Sequence, residues 1–90
     1  MDFNFDNPSQ AGAGRVVSLD ELAPGATAVV EKIDLDGPVA RRLADLGFLP
    51  GTPVTAVRRA PLGDPIEFEL RGTRLCLRRS EAARVRIRSA

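Results

Sequence analysis

The chain has 90 residues, a net formal charge of +1, one cysteine, and no histidine, tryptophan or tyrosine. A chain of this length forms one domain around one small core, burying roughly 60–65% of the surface its unfolded form exposes. One thiol excludes an internal disulfide, and the missing imidazoles exclude histidine-based acid–base chemistry and imidazole ligation of a metal.

No apolar run approaches the roughly 20 residues needed to cross a bilayer. The N-terminus lacks the basic and apolar regions of a signal peptide, so the cytoplasm is the expected location. Charge is divided unevenly. Residues 1–36 carry a net −5, whereas residues 37–90 hold eleven arginines against five acidic groups and carry a net +6. A basic half of this kind suits nucleic acid, an acidic protein surface or a membrane surface. Equally, it suits outward strand positions that use arginine for solubility.

Residues 1–14 (MDFNFDNPSQAGAG) lack apolar periodicity and read as a flexible tail, with Phe3 and Phe5 alternating in it. The domain is expected over residues 15–90. Ser18-Leu19-Asp20-Glu21 reads as a single turn closed by a capping box, Ser18 accepting from the Glu21 amide and Glu21 reaching back. Leu19 and Leu22 then share its core face, and Pro24-Gly25 ends it. The run from Ala26 to Ile33 is β-branched and apolar, a first strand.

Pro38 suits the first turn of a helix, capped by Asp36 or Gly37. Val39, Leu43 and Leu46 follow at i, i+4 and i+7, one apolar stripe. Arg41, Arg42 and Asp45 fall off the stripe, and Gly47 suits the left-handed stop position. Pro50-Gly51 predicts a type II turn. The next strand runs from Val54 to Ala60, and Pro61-Leu62-Gly63-Asp64-Pro65 can only be a loop.

Ile66 to Leu70 alternates with Ile66, Phe68 and Leu70 inward. Arg71-Gly72-Thr73-Arg74 then reads as a type II′ hairpin with Gly72 first, pairing Leu70 with Leu75 and Phe68 with Leu77. A helical turn over residues 80–83 precedes a last strand in which Val85 and Ile87 alternate with arginines. Five short strands and one inserted helix describe a mainly β chain, a small barrel rather than a sandwich.

Chemistry-bearing patterns are few. Cys76 stands alone in a strand with no local base, and Asp34 with Asp36 lacks the spacing of a calcium loop. The glycines match neither phosphate-binding motif, so no enzymatic activity is expected. Arg71, Arg74, Arg78, Arg84, Arg86 and Arg88 form an arginine-rich outer set, but nucleic-acid barrels add exposed aromatic platforms, and none accompanies these arginines.

Read in order, SLDELAPG, RRLADLGFLPGTPV, RRAPLGDPIEFELRG and LCLRRSEAARVRI make residues 16–88 resemble the FeoA family of ferrous-iron-transport accessory proteins. The resemblance implies an SH3-like barrel that works in the cytoplasm with FeoB, a membrane transporter carrying a cytoplasmic GTPase domain. It implies no catalysis and membrane association only through that partner, and without histidine the chain is expected to hold no resident metal or cofactor. The same domain is similar to the C-terminal SH3-like module of DtxR-type iron-dependent repressors. Two other readings stay open: a nucleic-acid-binding barrel, and a module that contacts an iron-dependent regulator.

For partner contact the expected residues are Arg41, Arg42 and Asp45 on the helix, and Leu62, Gly63 and Asp64 in the 61–65 loop, since loops on rigid scaffolds carry recognition. A purely local role stands beside this: Arg41 and Asp45, at i and i+4, suit a surface pair.

Overall fold

The computed structural model describes residues 15–89; the tail reading for residues 1–14 lies outside the described residues. In chain order the elements are β1 (Val16–Ser18), a 3₁₀ turn (Leu19–Glu21), β2 (Thr27–Ile33), α1 (Pro38–Leu46), β3 (Pro53–Arg59), β4 (Ile66–Leu70), β5 (Thr73–Leu77), α2 (Arg79–Ala82) and β6 (Val85–Ser89). The five expected strands and both helical pieces are present. A sixth strand, β1, is too short to show an alternation in sequence, and takes its place by pairing Val16 with Arg88 and Ser18 with Arg86.

All strands join one antiparallel sheet in the order β1-β6-β2-β3-β4-β5. Register shifts at Glu31 in β2 and Val57 in β3 mark bulges, which bend a sheet and raise its twist. The curvature is evident from the core. Leu19, next to β1 at one edge, and Leu77, on β5 at the other, belong to a single buried cluster with Val30, Val54, Phe68 and Ile87. The core is aliphatic apart from Phe48 and Phe68, both fully buried.

Three local expectations are corrected. Ser18 does not accept from an amide of the turn; its hydroxyl lies instead against the carboxylates of Asp20 and Glu21. The β4–β5 hairpin pairs Leu70 with Thr73, Phe68 with Leu75 and Ile66 with Leu77. Its central residues are Arg71 and Gly72, both at positive φ (54° and 81°), the type I′ pattern whose twist matches paired strands. Arg71 tolerates a left-handed backbone that residue type alone does not announce. The slip is two residues along β5, so the inward set is unchanged.

The third correction concerns α1. Leu43 is fully buried, but Val39 and Leu46 each remain 39% exposed. The helix meets the barrel through little more than one turn, so its stripe is only half covered. Gly47 ends it at φ 115°, as expected, and a side chain there would stand 2.8 Å from Leu70 Cδ2. The Thr52 amide then donates to the Leu49 carbonyl (3.0 Å), closing the turn around Pro50 and Gly51.

Candidate interaction surface

The α1 residues and the 61–65 loop, far apart in sequence, are anchored on the same short element. Glu81 of α2 accepts from its own cap amide at Arg78 through Oε1 (3.0 Å) and from the Arg42 guanidinium through Oε2. From a position 15 residues earlier in the chain, Asp64 Oδ1 accepts from the Arg79 amide at the start of α2 (2.9 Å). Thus Arg42 and Asp64 hold the two sides of one four-residue helix, itself fixed by the fully buried Ala82. Sequence reasoning marked α2 as a turn and missed its role as hub. The available signal was Glu81 three residues after Arg78, the spacing at which an acidic side chain reaches back to a cap amide.

Burial pushes the Glu81 carboxyl up. The Arg78 amide and the Arg42 guanidinium outweigh that and hold it below its ordinary 4.5. Arg42, singled out for partner contact, is therefore already committed within the fold. Asp64 is similarly committed. Arg41, Asp45 and Leu62 are exposed like Arg42 and Asp64, Leu62 to 94%, but among the described residues none of the three bonds to α2, and Arg41 forms no ion pair with Asp45. Gly63 serves the loop itself, its amide donating to the Ala60 carbonyl (2.7 Å). The loop is closed at its base by Ala60 donating to the Pro65 carbonyl (3.0 Å), and the Asp64–Pro65 bond is cis.

Half of the arginine-rich outer set is paired with carboxylates in place. Arg88 makes a bidentate pair with Glu31 (3.0 and 2.7 Å), Arg86 pairs with Asp34 (2.9 Å), and Arg74 lies 3.7 Å from Glu69. The hydrogen bond from Arg88 lowers the Glu31 pKa despite partial burial, and that from Arg86 lowers the Asp34 pKa. Arg58 pairs with Glu67 (2.8 Å) across the wall of a cavity of about 250 Å³, which Pro61, Pro65 and the exposed thiol of Cys76 also line. Both described phenylalanines are in the core, so this face offers charge pairs and no stacking platform. Such a surface does not favour the nucleic-acid reading.

The FeoA domain model matches residues 17–89. The chain belongs to the FeoA family, whose members serve ferrous iron transport. In Porphyromonas gingivalis, a fusion protein of Fe(2+) transport protein A and the Fe(2+) transporter FeoB is 33% identical over 69 residues, which are 77% of this chain and 8% of the fusion. The chain therefore spans a small fraction of that curated relative. Among solved structures, FeoA of Stenotrophomonas maltophilia, complexed with zinc and described as a prokaryotic SH3 domain protein, is 41% identical with a TM-score of 0.71, covering 79% of this chain and 88% of that one. FeoA of Chlorobium tepidum is 40% identical with a TM-score of 0.76, covering 81% and 70%.

The FeoA-family fold is thus SH3-like here, and the segments that carried the resemblance have structural jobs. RRLADLG is α1 with its Gly47 stop, APLGDP is the loop that caps α2 through Asp64, and the RG pair is the type I′ turn. Among the described residues no helix is long and apolar enough to cross a membrane.

Proposed function

We propose that this FeoA-family chain is a non-enzymatic accessory protein of ferrous iron uptake, acting in the cytoplasm by binding a FeoB-type membrane GTPase transporter. The observation that carries the reading is the relative in which an FeoA-like segment and FeoB share one polypeptide. Covalent fusion enforces proximity, and a separate chain achieves it only through a binding surface. Support comes from the anchoring of α1 and the 61–65 loop on α2, which presents two exposed groups on a rigid base: Arg41 with Asp45, and Leu62. A rigid base limits the entropy lost on association.

Co-purification with the cytoplasmic part of a FeoB-type transporter tests this, with Arg41→Glu and Leu62→Asp as interface variants. Arg42 is a poor probe, because reversing it sets two carboxylates against each other at Glu81. Capture by the native chain, weakened in either variant with the melting temperature held, is the expected result. No capture, together with iron uptake indifferent to the presence of the chain, would remove the proposal.

A further inference from the structure

The sheet ends at β5 in an open edge. β5 is last in the strand order, and among the described residues it pairs with β4 alone. Leu70 and Thr73 flank the two-residue turn, so the hydrogen-bonded pairs with β4 are Leu70–Thr73, Phe68–Leu75 and Ile66–Leu77. The main-chain amides and carbonyls of Arg74 and Cys76 alternate with these and point away from β4. Among the described residues no turn, loop or cap bonds to them. The opposite edge, β1, offers three residues against five here.

Three features specify the strand that would fit this edge. On the core side, Leu75 is only partly buried, although Phe68 and Leu77 on the same face are 0% and 1% exposed. On the outer side, the cross-strand row Arg58, Glu67 and Cys76 lines the cavity of about 250 Å³ together with Pro61 and Pro65. That volume is below the ~300–1,000 Å³ of small-molecule pockets. The charges around it are already matched, Arg58 by Glu67 and Arg59 by the Asp20 and Leu22 carbonyls, so it suits one apolar side chain. Finally, Arg71, Arg74 and Arg78, on β5 and its two ends, are all exposed. Among the described residues Glu69, 3.7 Å from Arg74, is the one carboxylate paired with any of them.

We propose that the β5 edge docks an extended segment of a partner protein as an added antiparallel strand. That segment sets an apolar side chain over Cys76 into the cavity, a β-branched one beside Leu75 and a carboxylate beside Arg74. Main-chain bonds to Arg74 and Cys76 fix its register, and alternate side chains supply the selectivity. A second copy of this chain fits poorly. Two β5 strands paired about Leu75 would crowd Arg71, Arg74 and Arg78 of both copies, and like charges on facing strands repel. The proposal goes beyond the transporter reading and stands whichever protein supplies the strand.

The probe is the acetylated and amidated peptide Glu-Val-Leu-Val-Glu-Thr, added to the full chain. Its Leu is designed to lie over Cys76, its second Val beside Leu75 and its second Glu beside Arg74. The expected result is several-fold slower hydrogen exchange at the Arg74 and Cys76 amides and several-fold slower alkylation of the Cys76 thiol. N-methylation of the peptide's Leu or second Glu removes a donor aimed at β5 and should abolish both effects. N-methylation of the Val between them, whose amide points to solvent, should leave both effects in place. Replacing the second Glu of the peptide by Lys should weaken binding several-fold. All these changes are made in the peptide, so none depends on a variant of the chain folding. Amides and thiol unchanged at millimolar peptide would overturn the proposal. So would equal loss with every N-methylated peptide, or equal protection by a scrambled peptide of the same charge, which assigns the effect to charge alone. Protection that grows with protein concentration in the absence of peptide would assign the edge to a second copy and overturn it too.

Discussion

β4 and α1 were equally periodic in sequence, yet they are buried very differently. Along β4, Ile66, Phe68 and Leu70 are all 2% exposed or less, so every inward position is a core position. Along α1 only Leu43 reaches the core, and its two stripe neighbours stay more than one-third exposed. A strand within a sheet has one face pressed on the core along its whole length. A nine-residue helix laid across a barrel touches it where the curvature permits, over about one turn. Apolar period thus reads out burial in the sheet, but in the helix it reads out burial plus surface left for something else.

Alanine substitutions measure the contrast directly. Phe68→Ala should cost about 3–5 kcal/mol and Leu43→Ala about 2–5 kcal/mol, by loss of packing and the cavity left behind. Leu46→Ala should cost about 1 kcal/mol, since much of that side chain already meets solvent. Urea midpoints compare the three, and a Leu46 cost equal to that of Leu43 would erase the distinction. Gly47→Ala, where the two regions touch through Leu70, should cost about 1–3 kcal/mol from its left-handed backbone, plus the displacement of Leu70.

Smaller effects probe the hub. Glu81→Gln should lower stability by about 1 kcal/mol, because the Arg42 pair is half-exposed and screened. The folded-state pKa values of Glu81, Glu31 and Asp34 lie below the ordinary 4.5, 4.5 and 3.8. Their stabilisation is therefore complete above those ordinary values and is lost as pH falls through them towards the lowered native ones. Denaturation midpoints followed from about pH 6 to about pH 2 should fall over that window, and less steeply in Glu81→Gln. Smallest of all, Leu62→Ser should leave the melting transition within about 0.5 kcal/mol of the parent, since the side chain touches little.

The sheet was legible because alternation, turn residues and β-branched runs all gave the same answer. What stayed hidden depends on particular backbones and distant pairs. Arg71 adopts a left-handed φ, so the hairpin turned one residue earlier than Gly72 alone suggested. β1 has three residues, below the length at which a period shows. At the candidate surface, Arg42 and Asp64 were singled out by type and place, but their partners lie 39 and 15 residues away. Those distances are set by the fold, and no local pattern encodes them. Leu62 and Arg41, with no such partners among the described residues, keep the exposure the sequence suggested.

The position of β6 between β1 and β2 has a consequence for the order in which the chain is made. The last of the six described strands to be made is an interior one, and it delivers the buried Val85 and Ile87 to the core. Until residues 85–89 emerge, β1 and β2 both present open edges to solvent, and Leu19 has no finished wall to pack against. Nascent chains stopped before this strand should be protease-sensitive, and maturation of the domain should occur in one late step.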